Sequence, residues 1–590
     1  MCGIIGYTGK GNAIELVVQG LKNLEYRGYD SFGYAWLDEN QVKTRRQVGE
    51  ISNFNADGNA KTAVANIAIG HTRWATHGGV EERNAHPHLS RNGEIAVVHN
   101  GIIENHAELK RFLEKKGFRF GSETDTEVIP HLIEHLMDEG DDYESAVRKA
   151  LRQLKGRFAV LVLSSSHPKI IAARNGSPLV IGIGGNGNFI ASDIPAFLKH
   201  TKKVVFMEDG DIAVVNETVK LLSLRDGSPA ERETQHINWD FQQAEKGGHD
   251  HFMIKEILEQ KETLLKAASQ GNGVIERVAS MINSSFGTYI VGCGTAGKVC
   301  LTGTYLFSRI AKKHVNFAFG SEFPSYQHFI KPNSLLIAVS QSGETADTLE
   351  AIEAAKSKGA KVVSVLNAIG STMQRQSDIS IPINAGPEIC VASTKATTAQ
   401  IAVLTMLAYA CDGRIDEGRA LIEETAEKIS EMLTGEYLAN ARAVAESLKH
   451  NESMYIIGRG LNYPIALESS IKLQEVSYIH AEGFAAGELK HGPIALIGKG
   501  TPCIAIVAND ETRNDVIGNA TEVKSRGGFI IGISPENHDV FDIWLKVPDC
   551  GDASPIANII PVQLLSYYLA VFRGNNPDKP RNLAKSVTVK

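Results

Sequence analysis

The chain has 590 residues, of which 43% are apolar and 22% charged, so it can bury several cores and should form about three or four domains rather than one. A net charge of −7 provides no basic surface of the kind that binds a phosphate backbone, and we expect no nucleic-acid partner. The seven cysteines are scattered and form no C-x-x-C pair, which predicts reduced thiols rather than disulfides or a zinc site. The longest apolar stretches are too short or too interrupted to cross a membrane, so we expect a cytoplasmic protein without a membrane partner.

The chain opens with Met-Cys-Gly-Ile-Ile-Gly. An initiator methionine is usually removed before so small a residue, which would make Cys2 the N-terminal residue. Its α-amino group, with a pKa of about 7.7 to 8.0, could then serve as the base for its own thiol. Cys2 is therefore a candidate nucleophile, although from this position alone a cysteine that opens a buried strand is the commoner case.

Short β-like runs dominate residues 1–225, with only two clear helical patterns between them. This layout predicts an α+β domain with antiparallel sheets. The polar segment 226–245 lacks apolar periodicity and is predicted to be a linker. The β-like runs cover 67–70, 95–98, 158–163, 169–173, 179–183 and 211–215, and the helical patterns cover 13–24 and 126–137.

Beyond the linker, apolar strands alternate with long helical patterns and the sequence repeats itself. Three strand motifs return 166 to 168 residues later. The repeat predicts two doubly wound parallel α/β domains, 246–414 and 415–574. The tail, 575–590, contains too many helix breakers to be a helix. The paired motifs are 289–294 with 455–460, 336–339 with 503–506, and 359–365 with 527–533.

Three segments of the first domain offer the groups that a cysteine nucleophile needs. Arg73 could clamp a carboxylate through two hydrogen bonds, and Asp125 could bind an ammonium group. Asn100 and the N–H of Gly101 end an apolar strand and could stabilise an oxyanion. Each also has a plain structural interpretation, because Asn-Gly favours a hairpin turn, Asp125 could cap a helix and Arg73 could form a surface ion pair.

Five histidines of the first domain match no standard spacing of metal ligands. We therefore predict no metal site and expect these side chains to be hydrogen-bonded within the core. They are His71, His77, His86, His88 and His99.

Taken together, these motifs resemble the class II glutamine amidotransferases, a family of N-terminal-nucleophile hydrolases. The resemblance implies antiparallel sheets sandwiched by helices, attack of Cys2 on the side-chain amide of glutamine, an oxyanion held by Asn100 and Gly101, and release of ammonia. The matching segments are 2–6, 24–31, 71–78, 84–88, 99–105 and 122–126. The implied glutamine-binding residues are Arg73, Trp74, Thr76, His77 and Asp125.

Two glycine loops in the first repeat could each bind phosphate. The loop 292–297 satisfies G-x-G-x-x-G, which on its own is a weak dinucleotide signal. The loop 340–343, Ser-Gln-Ser-Gly, follows a buried strand and precedes a helix predicted over 344–358, and this arrangement suits a phosphate monoester better. The second repeat lacks these hydroxyls at 507–512, so we expect one sugar-phosphate site per chain.

The second repeat carries candidate acid–base groups. Lys472 and Glu475 are three residues apart and share one helical face, where they could act as a proton-transfer pair. His491 precedes Gly-Pro and could open a sugar ring near neutral pH. A solvated ion pair and a helix-end histidine are the plain interpretations of the same residues.

The second half resembles paired sugar isomerase (SIS) domains, and the whole chain is similar to the glutamine–fructose-6-phosphate aminotransferase family. The resemblance implies conversion of glutamine and fructose 6-phosphate into glucosamine 6-phosphate and glutamate, with ammonia passing through a channel gated by Trp74. It also implies a homodimer in which His491 acts in the neighbouring subunit, a Schiff base on Lys585, proton transfer by Glu475 and Lys472, and no metal or organic cofactor. The implied sugar-phosphate residues are Cys293, Gly294, Thr295, Ser340, Gln341, Ser342, Thr345, Val391 and Ser393.

The first glycine loop departs from the family at Ala296, where a serine is usual, and Lys298 beside it is also unusual. One hydroxyl contact to the sugar is therefore missing, and Lys298 could compensate as a charge near the phosphate. These departures leave open an amidotransferase for another sugar phosphate, or a deglycase. A sugar-phosphate sensor that has lost turnover is a further alternative, although it would have no use for a full set of proton-transfer groups.

Overall fold

The computed structural model of the protein describes residues 2–54, 65–237 and 246–588. By its contacts the chain divides into two compact units. The first unit contains residues 1–242 and 584–590, and the second contains residues 243–583.

Two antiparallel sheets form the centre of the first unit. The eight-stranded sheet has the order β14-β11-β9-β10-β1-β4-β2-β3, and the six-stranded sheet has the order β13-β12-β8-β7-β6-β5. The strands are β1 (Gly3–Gly9), β2 (Ser31–Asp38), β3 (Gln41–Val48), β4 (Ile67–Arg73), β5 (His88–Leu89), β6 (Ile95–Ile103), β7 (Gly156–Ser164), β8 (His167–Asn175), β9 (Val180–Ile183), β10 (Gly187–Ala191), β11 (Lys203–Phe206), β12 (Asp211–Val215), β13 (Val219–Ser223) and β14 (Thr234–His236).

Helices cover the outer faces of both sheets, which gives four layers. Helix α1 packs on β1 and β4, while α2, α3 and α4 cover the six-stranded sheet. Strand β7 shows why both faces of the six-stranded sheet are apolar, because alternate side chains point to opposite faces. Val160 and Val162 join the core beneath the helices, and Leu161 and Leu163 join the core between the sheets. The predicted α+β layout of antiparallel sheets between helices is confirmed. The helices are α1 (Ala13–Asn23), α2 (His106–Lys115), α3 (Val128–Asp138) and α4 (Tyr143–Arg152).

Two expectations for this unit need correction. The sequence indicated two clear helices, but the described residues of this unit contain four. Helix α2 is largely polar and buries only Leu109 and Leu113, whereas α4 has an apolar face that the sequence analysis did not recognise. Part of the predicted linker, 226–245, is an edge strand: β14 pairs with β11 although its three residues are exposed. Residues 238–245 of that linker lie outside the described part of the chain.

The second unit contains two parallel sheets of five strands, in the orders β16-β15-β17-β18-β19 and β21-β20-β22-β23-β24. In both sheets the strands follow the same spatial order, in which the first strand along the chain lies between the second and the third. The predicted repeat and the two doubly wound domains are therefore confirmed. The strands are β15 (Thr288–Gly292), β16 (Val315–Phe319), β17 (Leu335–Ser340), β18 (Lys361–Leu366), β19 (Ile379–Pro382), β20 (Ser453–Gly458), β21 (His480–Ala485), β22 (Pro502–Ile506), β23 (Phe529–Ser534) and β24 (Ile543–Lys546).

Helices pack on both faces of these sheets. They are α5 (Phe252–Leu258), α6 (Gln260–Ala268), α7 (Asn272–Ser284), α8 (Gly294–Arg309), α9 (Phe323–Tyr326), α10 (Ala346–Ser357), α11 (Thr372–Gln376), α12 (Lys395–Cys411), α13 (Ile415–Met432), α14 (Gly435–Leu448), α15 (Tyr463–Ser477), α16 (Arg513–Lys524) and α17 (Ser554–Phe572). The tail that follows α17 contains no helix in its described residues, as expected.

One apolar core runs through both halves of the second unit. It includes Ile290 and Ile337 from the first sheet and Ile456 and Ile504 from the second. Within the described residues one helical stretch, 551–572, is long and apolar enough to span a membrane, but 83% of its apolar window is buried in the protein. Such burial is typical of a core helix, so this stretch gives little support for a membrane span.

Candidate active sites

The thiol of Cys2 lies at the start of β1, beside the end of β4. The two strands pair with Gly3 opposite Thr72. This register places Cys2 beside Trp74, the residue that follows β4. The Trp74 N–H donates to the Cys2 sulfur over 3.2 Å. Burial raises the pKa of the Cys2 thiol, while the Trp74 N–H and the charge of Arg73 oppose that rise.

The predicted oxyanion donors lie close to Cys2. Asn100 is buried on β6 in the other sheet, and its Nδ2 donates to the Cys2 carbonyl over 2.9 Å. Gly101 follows with a φ of +122°, a conformation that side chains rarely allow. The structure therefore brings Asn100 to the backbone of the candidate nucleophile, and Gly101 is the next residue on β6.

Arg73 is buried and its guanidinium is occupied by its own loop. It donates to the carbonyls of His77 over 2.6 Å, Gly78 over 3.1 Å and Gly79 over 3.0 Å. The plain interpretation of Arg73 as a surface ion pair is therefore wrong. The guanidinium holds the loop that carries the candidate glutamine-binding residues. A substrate carboxylate would have to bind the guanidinium together with these carbonyls or displace one of them.

The other candidate glutamine-binding residues surround this loop. Asp125 is buried and accepts the Ile103 N–H over 2.7 Å. Trp74 is half-buried, with its ring edge-on to Tyr29 at 5.7 Å, and Thr76 is exposed. The ring of His77 lies 5.3 Å from that of His106.

The sequence reasoning missed the contribution of Asp30 to this site. Its carboxylate accepts the Ala75 N–H over 2.8 Å and holds the loop that follows β4. Asp30 lies inside one of the matched amidotransferase segments, and that position was the available signal.

Four of the five predicted core histidines, His71, His86, His88 and His99, are buried and lie close together. His77 is half-buried in the loop after β4, so its predicted core position is not confirmed. His71 bonds the His99 carbonyl over 3.0 Å and stacks on His86 at 4.0 Å, and His86 accepts the His99 N–H over 3.3 Å. Burial lowers the pKa of His71 and His86 well below the usual value, and that of His88 to about 3. These rings are uncharged packing groups at neutral pH. Among the described residues no group of three or more His, Cys, Asp or Glu could hold a metal ion.

In the second unit, both predicted sugar-phosphate loops follow adjacent parallel strands, β15 and β17. The carboxyl ends of parallel strands form the usual ligand edge of such sheets. Ser340 Oγ accepts the Gly343 N–H over 3.0 Å, and Ser342 Oγ accepts the Glu344 N–H over 3.2 Å, so both hydroxyls also shape the loop. Gln341 lies between them, and its carbonyl accepts the N–H groups of residues 367 and 368.

The first glycine loop contacts the helix that follows the serine loop. Cys293 Sγ lies 3.4 Å from Thr348 Oγ1 on α10, and Gly294 begins α8 with a φ of +55°. Thr345 precedes α10, and its side chain makes no capping hydrogen bond. The first glycine loop is thus part of the same edge as the serine loop, which favours one shared anion site over a separate dinucleotide site.

The loop with Val391 and Ser393 is held by buried carboxylates that the sequence reasoning did not identify. Glu388 accepts the Ser393 hydroxyl over 3.1 Å and the Thr394 N–H over 2.9 Å at the start of α12. The Val391 N–H donates to the carbonyl of Asp578, over 3.1 Å, in the tail. The side chain of Asp578 accepts the N–H groups of residues 252 and 253 at the start of α5. The tail is therefore hydrogen-bonded both to the loop of Val391 and to α5.

The predicted proton-transfer pair is present on α15. Lys472 is fully buried and its Nζ lies 2.5 Å from Glu475 Oε2. A third group, Glu468, lies one turn earlier, with Oε1 3.5 Å from Lys472 Nζ and 3.0 Å from the hydroxyl of Thr295. Burial opposes a charge on Lys472, but the carboxylates of Glu475 and Glu468 outweigh it and raise the pKa of the ammonium above its usual value.

The remaining predicted catalytic residues lie on other segments of the chain. His491 is exposed at the end of a short 3-10 turn that precedes Gly492. Lys585 lies in the segment 584–590, which groups with the first unit. Their predicted roles stay predictions.

Comparison with known proteins identifies both halves. The family model described as a glutamine amidotransferase domain matches residues 71–199, and the SIS domain model matches residues 281–410 and 447–573. The chain is 44% identical to the isomerizing glutamine–fructose-6-phosphate aminotransferases of Pyrococcus horikoshii and Thermococcus kodakarensis, and 42% identical to that of Clostridium tetani, over 100% of each chain. It belongs to the glutamine–fructose-6-phosphate aminotransferase family.

Solved structures agree with the fold that this family implies. The C-terminal domain of the glucosamine-fructose-6-phosphate aminotransferase from Francisella tularensis is 34% identical, with a TM-score of 0.53 over 57% of this chain and 100% of that one. A tagatose-6-phosphate ketose/aldose isomerase from Escherichia coli, at 16% identity and a TM-score of 0.50, shares the fold of the second half over 57% of this chain and 96% of its own.

The loop at the start of α8 contains Ala296 and Lys298, the two residues at which the sequence analysis expected a departure from the family pattern. Ala296 is partly buried, and its backbone lies close to Gly292. The Lys298 ammonium packs on an aromatic ring, with Nζ 4.4 Å from the centre of the Phe319 ring. Burial lowers the pKa of Lys298, while the negative charges of Glu468 and Glu475 partly offset that effect. Lys298 is therefore electrostatically linked to the acid–base cluster.

Proposed function

We propose that this chain converts L-glutamine and D-fructose 6-phosphate into L-glutamate and D-glucosamine 6-phosphate. The observation that carries the proposal is the full-length similarity to aminotransferases of that name, at 44% identity. The two candidate sites supply the chemistry that each half of the reaction requires.

The first half-reaction would release ammonia. After removal of Met1, the α-amino group of Cys2 takes the thiol proton, and the thiolate attacks the side-chain carbonyl of glutamine. Asn100 Nδ2 and the Gly101 N–H stabilise the tetrahedral oxyanion, ammonia leaves, and water hydrolyses the thioester to glutamate. The amino-acid end of glutamine would be held by Arg73, Trp74, Thr76, His77 and Asp125.

The second half-reaction would build the amino sugar. His491 opens the sugar ring, Lys585 forms a Schiff base with the ketone, and ammonia displaces the lysine. Isomerisation then moves a proton from C1 to C2, with Glu475 as the base and Lys472 serving the neighbouring oxygen. The sugar phosphate would be bound by Cys293, Gly294, Thr295, Ser340, Gln341, Ser342, Thr345, Val391 and Ser393.

The organisation of the enzyme follows from the same proposal. We assign the amidotransferase to residues 1–225, the two SIS domains to 246–414 and 415–574, and the catalytic tail to 575–590. A homodimer would let His491 of one subunit complete the site of the other, and a channel gated by Trp74 would carry the ammonia. We expect the reaction to need no metal or organic cofactor and the enzyme to act in the cytoplasm.

The test combines a product assay with a matched pair of variants. Cys2→Ala should abolish amino-sugar formation from glutamine while added ammonia still supports some, because only the nucleophile is lost. Cys411→Ala, which removes a half-buried thiol at the end of α12, should leave both activities unchanged. Equal loss with both nitrogen sources would contradict the assignment of the first unit.

Two further outcomes would decide between the alternatives. Mass spectrometry of the purified protein should find Cys2 at the N-terminus, and full glutamine hydrolysis by a protein that retains Met1 would refute the nucleophile. Offering several ketose phosphates tests the substrate, since Ala296 leaves room for a sugar phosphate other than fructose 6-phosphate.

A further inference from the structure

Glu468 is the most unusual polar residue of the second unit that the proposed mechanism does not use. The residue is 1% exposed, and its Oε2 has no hydrogen-bond partner among the described residues. A buried carboxylate oxygen without a partner is costly, and native proteins rarely keep one without a reason. The position of Glu468 suggests that the reason is functional.

Glu468 links two parts of the candidate site that come from different repeats. Its Oε1 accepts the Thr295 hydroxyl over 3.0 Å, and Thr295 lies on α8 in the predicted sugar-phosphate loop. The same oxygen lies 3.5 Å from Lys472 Nζ on α15. Helices α8 and α15 pack against each other, so the carboxyl group spans the contact between them.

Four charged groups act on one another in this region. Lys472 and Glu475 share the helix of Glu468, and Lys298 faces it from α8. If all four were charged, the cluster would be neutral, whereas protonation of Glu468 would leave one positive charge. Lys472 Nζ lies 2.5 Å from Glu475 and 3.5 Å from Glu468. The ammonium of Lys472 is therefore paired more closely with Glu475 than with Glu468.

We propose that Glu468 is a positioning residue for the sugar half of the reaction, and that its ionisation state determines how strongly the Lys472 ammonium is held by Glu475. The inference rests on the proposed function. When Glu468 is neutral, Lys472 stays paired with Glu475 and the carboxylate is a poor acceptor for the C1 proton. When Glu468 is ionised, it draws Lys472 toward itself and toward Thr295, and Glu475 is freed to accept that proton.

The switch would operate near neutral pH. Burial raises the pKa of Glu468 to about 7, and Glu475 adds to the rise, while Lys472, the Thr295 hydrogen bond and Lys298 oppose it. Glu468 would therefore be protonated below about pH 7 and ionised above it. We expect kcat for amino-sugar formation to rise through this range as pH increases.

Glu468→Gln tests the proposal because glutamine keeps the size of the side chain and can still accept the Thr295 hydrogen bond, but cannot ionise. With glutamine and fructose 6-phosphate, it should show about tenfold lower kcat than wild type at pH 8, and it should lose the rise near pH 7. The KM for fructose 6-phosphate should change less than about threefold, and glutamine hydrolysis should be unchanged. Glu446→Gln, at an exposed carboxylate of α14, is the matched control and should retain the wild-type profile.

A second pair of variants keeps the proposal testable if Glu468→Gln does not fold. Thr295→Val removes the hydrogen bond that stabilises the ionised carboxylate, and Lys298→Met removes a facing cation but keeps contact with Phe319. Both should move the kcat rise to higher pH, by up to about one unit. Glu468→Asp should restore a rise, with lower kcat because the shorter side chain reaches Lys472 less well.

The outcomes separate the two proposals. If wild type forms no glucosamine 6-phosphate, the proposed function is refuted. If wild type is active but Glu468→Gln keeps its pH profile and kcat, only the positioning role is refuted. Loss of activity at every pH in Glu468→Gln, without recovery of a pH-dependent rise in Glu468→Asp, would refute control of the rate by the ionisation of Glu468.

Discussion

Replacing Gly101 with alanine tests whether the geometry of β6 is essential to the first active site. Gly101 has a φ of +122°, and a Cβ placed there would lie 1.9 Å from the carbonyl oxygen of Arg157 on β7. The carbonyl belongs to the backbone of the paired strand, so no side-chain rotation can relieve the overlap. The two strands must move apart or shift at the point where Asn100 meets Cys2.

The magnitude follows from two contributions. The backbone conformation alone costs an alanine about 1 to 3 kcal/mol, and displacing a packed strand costs about 1 to 3 kcal/mol more. Gly101→Ala should therefore destabilise β6 and β7 by about 2 to 6 kcal/mol. Gly93→Ala is the matched control, because Gly93 has a φ of +74° but open space around its Cβ, and it should cost only about 1 to 2 kcal/mol.

Hydrogen exchange resolved by mass spectrometry measures this difference directly on the strands concerned. Gly101→Ala should lower the opening free energy of the β6 and β7 amides well below the control, and should reduce glutamine hydrolysis by at least about a hundredfold because both oxyanion donors are displaced. Equal protection in the two variants, or full hydrolysis by Gly101→Ala, would refute the reasoning.

Three further predictions address other residues. Lys585→Arg should leave glutamine hydrolysis measurable but stop amino-sugar formation, because a guanidinium does not form the Schiff base; normal product formation would remove that role. Ala296→Ser should lower the KM for fructose 6-phosphate about fivefold at constant kcat if the added hydroxyl reaches the sugar, and an unchanged KM would show that the loop cannot use it. Burial lowers the pKa of His88 to about 3, so as pH falls from about 6.5 toward 3 the unfolded chain takes up a proton that the folded chain does not, and stability is lost. Between pH 6 and 4, His88→Gln should reduce the fall in the free energy of unfolding, measured by urea denaturation, by about 1.4 kcal/mol per pH unit. The same dependence of that free energy on pH in wild type and variant would contradict this prediction.

Local spacing predicted the parts of the sites that lie on one element. Lys472 and Glu475 are three residues apart on a helix, and the structure pairs them at 2.5 Å. The repeat of strand motifs predicted two equivalent parallel sheets, because buried parallel strands leave continuous apolar runs that are easy to recognise. Helix α2 was missed because it is polar and buries only two side chains. Helix α4 was missed although its buried residues recur at the spacing of a helix face.

Contacts between distant segments could not be predicted from spacing. Glu468 lies four residues before Lys472, which hinted at a shared face, but its hydrogen bond to Thr295 joins two repeats. The contact of Asn100 with Cys2 crosses from one sheet to the other and was expected only through the family resemblance. Arg73 was expected to face a substrate or solvent, yet three carbonyls of its own loop occupy it.

The apolar interior that continues through both halves of the second unit bears on how this duplicated architecture can be altered. Each half keeps a smaller apolar cluster of its own, but the largest apolar cluster of the second unit contains residues of both halves. Cutting the gene between them should yield fragments that aggregate, and loss of packing at Ile290 in one sheet should lower the melting temperature of the other sheet as well. We therefore expect the two halves to unfold together, because the largest cluster cannot lose one half without exposing the other.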